Sequence, residues 1–171
     1  MNKVITVQDQ LVYRVITNVA TAQNLHCGSP MPMPIKKNNV PRSPQKQETE
    51  DLFEEIRQKS YPHLPSRKSV LFVLPNNSDI VDRWVASQNP RNSCDYVLCT
   101  LRVTGTLIWC DEDKFTQAGP LQSQRRTLAK NYWESASDSS DDFDMPEGLF
   151  LGDAIVEKIE ERHYNSPNVL F

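Results

Sequence analysis

Four side chains in the sequence could act together on a ligand, because each stands in or beside a predicted strand. Arg14 lies inside an apolar strand, where a guanidinium must pair, reach solvent or face a polar cleft. Ser66 and Arg67 bring a hydroxyl and a cation to the beginning of a second strand, and Glu147 brings a carboxylate to the beginning of a late one. Open sheets bind ligands beyond the ends of their strands. These residue types at these places therefore indicate a candidate site.

Each of these positions also has a purely structural interpretation. Arg14 can be an edge-strand residue whose side chain extends to solvent. The segment of Pro65, Ser66 and Arg67 can be an ordinary corner, and Glu147 can simply end an acidic loop. The functional interpretation therefore requires Arg14 and Glu147 to converge on that corner.

The pattern of apolar residues predicts the elements that would hold these side chains. Alternation and β-branched residues indicate strands, and apolar residues at helical spacing indicate helices. The predicted strands cover residues 11–17, 69–74, 95–103 and 106–110, with two more inside residues 146–161, and the predicted helices cover residues 49–60, 78–88 and 121–134.

Two glycine-containing pairs predict turns. Thr104 and Gly105 separate two apolar runs, which favours an antiparallel hairpin and argues against a purely parallel sheet. Gly152 and Asp153 predict a turn or a bulge between the two late strands. The predicted fold class is therefore α+β, with a mixed, mainly antiparallel sheet flanked by helices.

Two polar segments predict loops within a single domain of 171 residues. Residues 27–47 are rich in proline and basic residues, and residues 135–146 are rich in serine and aspartate, so we expect the second segment to be solvated or mobile. The helix after the first loop is predicted to begin at Thr49, a favourable N-cap residue, and to direct Glu54 and Arg57 to solvent.

Composition and motifs exclude several classes of protein. A net charge of −3 does not by itself predict a nucleic-acid or membrane partner, and no apolar run is long enough to span a bilayer. The four cysteines form no CxxC pair and follow no apolar leader, so we expect a cytoplasmic protein. The sequence lacks the Rossmann, P-loop and GxSxG motifs. Its three histidines match no zinc pattern, so no metal is expected.

The order of the candidate residues resembles that of a known family. An early strand with Tyr13 and Arg14, a middle strand introduced by PSRKS (residues 65–69), and Glu147 after a helix that ends in NYWE (residues 131–134) resemble the Arg-Ser-Glu layout of small ADP-ribosyltransferases. The resemblance implies a split mixed sheet that binds NAD in an open cleft. It also implies transfer of ADP-ribose to a nucleophile, with nicotinamide as the leaving group.

The resemblance also implies a role for each side chain. Glu147 would be the catalytic residue, because a carboxylate beside the ribose hydroxyls stabilises the positive charge that develops as the glycosidic bond breaks, and can activate the acceptor. Arg14, with Arg67 as a second candidate, would bind the diphosphate or the ribose. The other expected cofactor-binding residues shape or cover the cleft: Ser66, Ser69 and Tyr132.

The leading functional interpretation is an NAD-dependent mono-ADP-ribosyltransferase that modifies a protein or a nucleic acid. Arginine-modifying members carry Glu or Gln two residues before the catalytic glutamate, and Met145 at that position argues against arginine as the acceptor. Two alternatives stay open. One is a non-catalytic binding or inhibitory module on the same fold, with the two polar loops as docking surfaces. The other is an NAD or ADP-ribose glycohydrolase that uses Glu147 with water.

Overall fold

The computed structural model describes residues 4–33, 43–88 and 92–167. Strands and helices follow one another along these residues, which confirms the predicted α+β class. Within the described residues, no helix has the length and apolar character needed to cross a membrane. The strands are β1 (Ile5–Ile16), β2 (Leu71–Pro75), β3 (Cys94–Asp111) and β4 (Pro146–Tyr164), and the α-helices are α1 (Val19–Ala22), α2 (Pro44–Ser60), α3 (Ser78–Gln88), α4 (Glu112–Ala118) and α5 (Arg125–Glu134).

The four strands form an antiparallel sheet that closes into a barrel, in which they are hydrogen-bonded in the order β1–β2–β4–β3. β1 pairs with β2 in a register that sets Val12 opposite Pro75 and Tyr13 opposite Leu74. β2 ends at Pro75, which has no N–H group to extend the ladder. Because β4 lies next to β2 although β3 separates them in sequence, the segment that contains α4 and α5 returns the chain to a position beside β2.

β3 is one continuous strand of 18 residues, so the predicted hairpin at Thr104 and Gly105 is wrong. Gly105 has a φ of 156°, in a region that residues with a side chain rarely adopt. A glycine inside a strand often accommodates an irregular backbone without reversing the chain. The apolar runs on either side of this glycine therefore belong to a single strand.

β4 is likewise one continuous strand, of 19 residues, so the predicted turn between two late strands is also wrong. Gly152 has a φ of 147° within this strand. As in β3, glycine accommodates a backbone conformation that other residues resist. Each of the two long strands thus contains one glycine with a positive φ.

Replacing Gly152 by alanine is expected to lower the free energy of unfolding by about 1–3 kcal/mol, because a Cβ strains the backbone at this φ. Urea denaturation measures the change as a lower midpoint. The matched control is Gly119→Ala, because Gly119 has a φ of −55° and an added Cβ would meet only the carbonyl oxygen of Thr116 at 3.5 Å, an ordinary contact. Equal destabilisation by both substitutions would contradict the proposed strain at Gly152.

The chain divides into two compact units. Unit 1 consists of Met1–Thr6, Pro32–Phe72 and Thr106–Leu151. Unit 2 consists of Val7–Met31, Val73–Gly105 and Gly152–Phe171. The division falls at Gly105 in β3 and at Gly152 in β4, so both long strands contribute to both units.

Unit 1 has an apolar core that contains four buried aromatic side chains, those of Phe53, Phe115, Tyr132 and Trp133. The ring of Tyr132 packs edge-on against Phe53 at 5.2 Å and against Trp133 at 4.8 Å. The indole Nε1 of Trp133 donates a hydrogen bond of 2.8 Å to the carbonyl of Phe53, which links α5 to α2. Leu121, the first residue of the helix predicted over residues 121–134, instead precedes α5 and is exposed.

Unit 2 is built around α3, whose predicted range of residues 78–88 is confirmed. The side chain of Asn77 accepts a hydrogen bond of 3.0 Å from the N–H of Asp79, so Asn77 caps the helix. One face of α3 is buried in the core of unit 2, and Trp84 is half-buried against the same core. The buried residues of this face are Ile80, Val81 and Val85.

α2 begins earlier than predicted, because Ser43 and not Thr49 is its N-cap. The Ser43 side chain accepts a hydrogen bond of 3.2 Å from the N–H of Lys46, and Pro44 occupies the first helical position, where no N–H is required. Thr49 lies inside the helix and donates its hydroxyl to a backbone carbonyl at 2.9 Å. The last residues of the predicted Pro-rich loop are therefore helical, and residues 34–42 lie outside the described residues.

The acidic segment of residues 135–146 is anchored to β3, although its four aspartates are exposed to solvent. Ser137 forms a β-bridge with Trp109 of β3 through two backbone hydrogen bonds of 2.8 and 2.9 Å. Ser137 is buried, and its hydroxyl donates to Asp142. A small residue at this position lets the segment pack against β3, a possibility that composition alone does not reveal.

The four cysteines are free thiols in different environments. Cys110 is buried in unit 1 and Cys99 is buried in unit 2, and burial raises the pKa of both thiols. Cys94 is half-buried and Cys27 is exposed. The two buried thiols are therefore held in the protonated, unreactive form.

Candidate functional site

Glu147 is the centre of a buried polar cluster in unit 1. It is the second residue of β4, after Pro146, and only 7% of its surface is exposed. The hydroxyl of Tyr132 donates to Oε1 of Glu147 at 2.6 Å, and Nη1 of Arg67 donates to the same oxygen. Oε2 accepts no hydrogen bond from the described residues. The carboxylate is thus held at one oxygen and available to a further donor at the other.

A tight turn directs Arg67 into the cluster. The N–H of Ser69 donates to the carbonyl of Ser66 at 3.1 Å, and the N–H of Lys68 donates to the Ser66 hydroxyl at 3.2 Å. Serine at the first position of such a turn stabilises it through this side-chain bond. The PSRKS segment is therefore a turn that buries its arginine and exposes Lys68 and Ser69.

Arg67 is 8% exposed, and all three nitrogens of its guanidinium donate hydrogen bonds within unit 1. Its Nε and Nη2 donate to the carboxylate of Glu50 at 3.2 and 3.4 Å, and its Nη1 donates to Glu147 and, at 2.6 Å, to Tyr132. The guanidinium also lies 3.8 Å from the ring centroid of Phe115. Burial alone would lower the pKa of Arg67, but the negative charges around it, first that of Glu147, raise it well above the ordinary value.

Tyr132 acts in this cluster through its hydroxyl, because its ring is completely buried. Burial raises the pKa of Tyr132 well above its usual value, and Glu147 contributes in the same direction while Arg67 opposes it. The hydroxyl therefore keeps its proton and donates a hydrogen bond to Oε1 of Glu147. Tyr132 and Arg67 together fix the orientation of the Glu147 carboxylate.

A further carboxyl group, that of Glu112, lies at the edge of the cluster. Glu112 is the first residue of α4, and its backbone N–H donates to the carbonyl of Met145 at 3.0 Å, which joins the start of α4 to the segment that leads into β4. The side chain is buried and accepts a hydrogen bond from the hydroxyl of Thr116. Burial raises the pKa of Glu112, and the charge of Glu147 adds to that increase.

The two predicted serines do not contact Glu147. Ser66 donates its hydroxyl to Glu54 at 2.8 Å, and Glu54 also accepts a hydrogen bond of 2.7 Å from Arg57. Glu54 and Arg57, which were expected to face solvent, are therefore mostly buried. Ser69 is exposed on the turn and donates to the carbonyl of Ser66 at 3.3 Å.

Arg14 lies in unit 2, so it is not part of the cluster around Glu147. It is half-buried in β1, where both Val12 and Val15 are buried and the expected strict alternation is broken. Burial lowers the pKa of Arg14, and the nearby Cys99 opposes this effect. The guanidinium that contacts Glu147 is that of Arg67, the second candidate of the sequence.

Sequence patterns did not indicate Glu50 and Glu112. Both are carboxylates within helical segments, where acidic residues are common on solvent-facing positions, yet both are buried. The feature of the sequence that indicates buried carboxylates is Arg67 itself, because an arginine just before the apolar run that forms β2 requires buried counter-charges. In the described part of the chain, no group of three or more His, Cys, Asp or Glu residues is arranged to hold a metal ion.

Comparison with known proteins identifies a family match. A protein-family model with the description "Protein of unknown function (DUF2441)" matches residues 18–162, which is most of the chain. The matched range contains Ser66, Arg67, Tyr132 and Glu147 but not Arg14. No curated protein matches the sequence.

Proposed function

Because the chain belongs to the DUF2441 family, whose description assigns no activity, we propose its function from the site: NAD-dependent mono-ADP-ribosyl transfer to a protein or a nucleic acid. The observation that carries the proposal is the carboxylate of Glu147. Arg67 and Tyr132 hold its Oε1, and its Oε2 is available to a ligand hydroxyl. A fixed negative charge of this kind stabilises positive charge that develops on a bound sugar.

The residues of unit 1 fit the ribose of NAD better than its diphosphate. Oε2 of Glu147 can accept a hydrogen bond from a ribose hydroxyl. Arg67 does not suit the diphosphate, because its donors are directed to Glu50, Glu147 and Tyr132. We therefore assign Arg67 and Tyr132 to the positioning of Glu147. NAD would supply the ADP-ribosyl group, with nicotinamide as the leaving group.

The architecture supports the same proposal. The α+β class, with an antiparallel four-stranded sheet and helices, is the class that the Arg-Ser-Glu resemblance implies. The ADP-ribosyltransferase-like fold is therefore part of what we propose. The two serines do not contact Glu147, but their hydrogen bonds stabilise the turn that carries Arg67.

A second candidate is a non-catalytic binding or inhibitory module on the same fold. The observation that favours it is the burial of Glu147, of which 7% is exposed, together with the pairing of Arg67 with two carboxylates. In this interpretation the network stabilises unit 1 and has no catalytic role. The two candidates differ in whether the protein binds NAD.

We expect NAD to raise the melting temperature of the protein, because a ligand selective for the native state stabilises it. At a concentration 100 times the Kd, the stabilisation is about 2.7 kcal/mol. Differential scanning fluorimetry measures the shift of the melting temperature, and calorimetry measures the affinity for NAD. ADP-ribose, which lacks the nicotinamide group of NAD, serves as the comparison ligand.

Incubation with labelled NAD and a cell lysate then separates the activities. Label on a protein or nucleic acid supports the transferase, whereas release of free ADP-ribose supports a glycohydrolase that uses the same glutamate with water. No binding by calorimetry and no change of melting temperature would refute both enzymatic functions and favour the binding module.

A further inference from the structure

Among the described residues of unit 1, three aromatic rings lie over the guanidinium of Arg67. The Cζ atom of Arg67 is 3.8 Å from the ring centroid of Phe115, 4.8 Å from that of Phe72 and 5.2 Å from that of Tyr132. The face of an aromatic ring is electron-rich and attracts a cation, and the attraction is strongest where water is excluded. Arg67 and Phe115 are each 8% exposed, so the closest of the three contacts is largely shielded from water.

The hydrogen bonds of Arg67 restrain its guanidinium unevenly. Nε and Nη2 donate to Glu50 at 3.2 and 3.4 Å, at and beyond the long end of the usual range for such bonds. Nη1 has to reach two acceptors, the hydroxyl of Tyr132 and Oε1 of Glu147. All these bonds run close to the plane of the guanidinium, so they resist tilting out of that plane less than motion within it. A group packed against the face of the guanidinium is needed to fix its plane.

Phe115 is itself held in place by its neighbours. Its helix, α4, is capped by the side chain of Asp111, which accepts a hydrogen bond of 3.2 Å from a backbone N–H of the first turn. At the other end of α4, Nε of the buried Arg125 donates to the carbonyl of Ala118 at 3.1 Å. The ring of Phe115 packs edge-on against that of Phe53, with 5.0 Å between the centroids. Phe115 therefore presents a fixed surface to the guanidinium.

We propose that Phe115 is a positioning residue for Glu147, because the attraction of its ring face fixes the plane of the Arg67 guanidinium. With that plane fixed, Nη1 of Arg67 stays directed to Oε1 of Glu147, and Oε2 keeps the position in which it can accept from a ribose hydroxyl. The consequence for activity rests on the proposed transferase function. The restraint on Arg67 does not, so the two can be tested separately.

The wild-type protein tests the restraint without any substitution. Rotation about the Nε–Cζ bond of Arg67 turns its Nη groups out of the plane that packs against Phe115. NMR of isotope-labelled guanidinium groups, assigned through the backbone of each arginine, should show this rotation to be at least about tenfold slower for Arg67 than for Arg126. The side chain of Arg126 is 62% exposed. Equal rotation rates for the two arginines would overturn the proposal.

Replacing Phe115 by leucine removes the ring face and retains every hydrogen-bond partner of Arg67. The Arg67 guanidinium should then rotate about tenfold faster than in the wild type. Phe150→Leu is the matched control, because Phe150 is completely buried in the same unit and is not one of the three rings over Arg67. The control should leave the rotation rate as it is in the wild type. An unchanged rate in Phe115→Leu, or an equal increase in both variants, would overturn the proposal.

Replacement of Phe115 by pentafluorophenylalanine gives a test that preserves the shape of the side chain. The fluorine atoms withdraw electron density from the ring face, so the attraction to Arg67 is lost while the core stays filled. The Arg67 guanidinium should again rotate faster than in the wild type, and the same replacement at Phe150 should have no effect. An unchanged rate with the fluorinated ring at position 115 would show that the ring only fills space, and would overturn the proposal even if Phe115→Leu does not fold.

Turnover of NAD tests whether the restraint matters for catalysis. Phe115→Leu should lower kcat about tenfold and leave the KM for NAD within about twofold of the wild type, because a misplaced carboxylate is felt mainly in the transition state. Phe150→Leu should change neither constant. A wild-type kcat in Phe115→Leu, with Arg67 rotating faster, would refute the positioning role. If Arg67 rotates as expected but the wild type does not turn over NAD, the restraint stands and the transferase function fails.

Discussion

Replacing Glu147 by glutamine is expected to lower the rate of the proposed ADP-ribosyl transfer by about 100- to 10,000-fold. The amide keeps the size of the side chain but carries no negative charge at the position of Oε2. It can therefore neither stabilise positive charge on the ribose nor take a proton from the acceptor. The rate is measured as transfer of label from NAD to a macromolecule, and calorimetry is expected to show that NAD still binds.

Glu50→Gln distinguishes catalysis from stability in this experiment. Glu50 is buried to the same extent as Glu147 and binds the same guanidinium, so both substitutions remove one carboxylate from Arg67. Both should lower the free energy of unfolding, but only Glu147→Gln should remove most of the transfer activity. Activity that falls in proportion to stability in both variants would contradict a catalytic role for Glu147.

Replacing Arg67 by methionine is expected to lower the free energy of unfolding by about 3–5 kcal/mol. Methionine retains an apolar stem beside Phe115 but provides no hydrogen-bond donor. The carboxylates of Glu50 and Glu147 then lie buried without the counter-charge that the wild type provides. Urea denaturation at neutral pH measures this loss.

Arg126→Met is the control for the removal of an arginine from the same unit. Arg126 pairs with Glu55 at 3.6 Å, and its side chain is 62% exposed, so its loss should cost about 0–1 kcal/mol. The combined variant Arg67→Met, Glu50→Gln, Glu147→Gln should regain part of the stability that Arg67→Met loses, because no buried charge is then left unpaired. A cost for Arg67→Met no greater than that for Arg126→Met would show that the cluster does not stabilise unit 1.

Helix α3 could be predicted because burying one face of a helix leaves a period in the sequence, whereas α4 was not predicted. The inner face of α3 follows directly from the spacing of Ile80, Val81 and Val85. The strand boundaries could not be predicted in the same way. A glycine between two apolar runs, as at Gly105 and Gly152, is compatible with a turn and with an irregular strand, and the choice depends on pairing with distant segments.

The site could be predicted only in part. Glu147, Arg67 and Tyr132 were candidates because of their positions at the ends of predicted elements, and the structure brings these three into contact. Glu50 and Glu112 could not be recognised, because a carboxylate on a helix has the same local pattern whether it faces water or a buried guanidinium. Which one it faces is decided by tertiary packing.

The two buried thiols make local unfolding of each unit measurable without an introduced label. Cys110 belongs to unit 1 and Cys99 to unit 2, and a thiol reagent can reach either one only while its unit is open. The exposed Cys27 reacts in the closed protein and gives the rate for an accessible thiol. Mass spectrometry of the modified peptides would therefore report two opening frequencies from one sample, one for the cluster around Glu147 and one for the unit that contains Arg14.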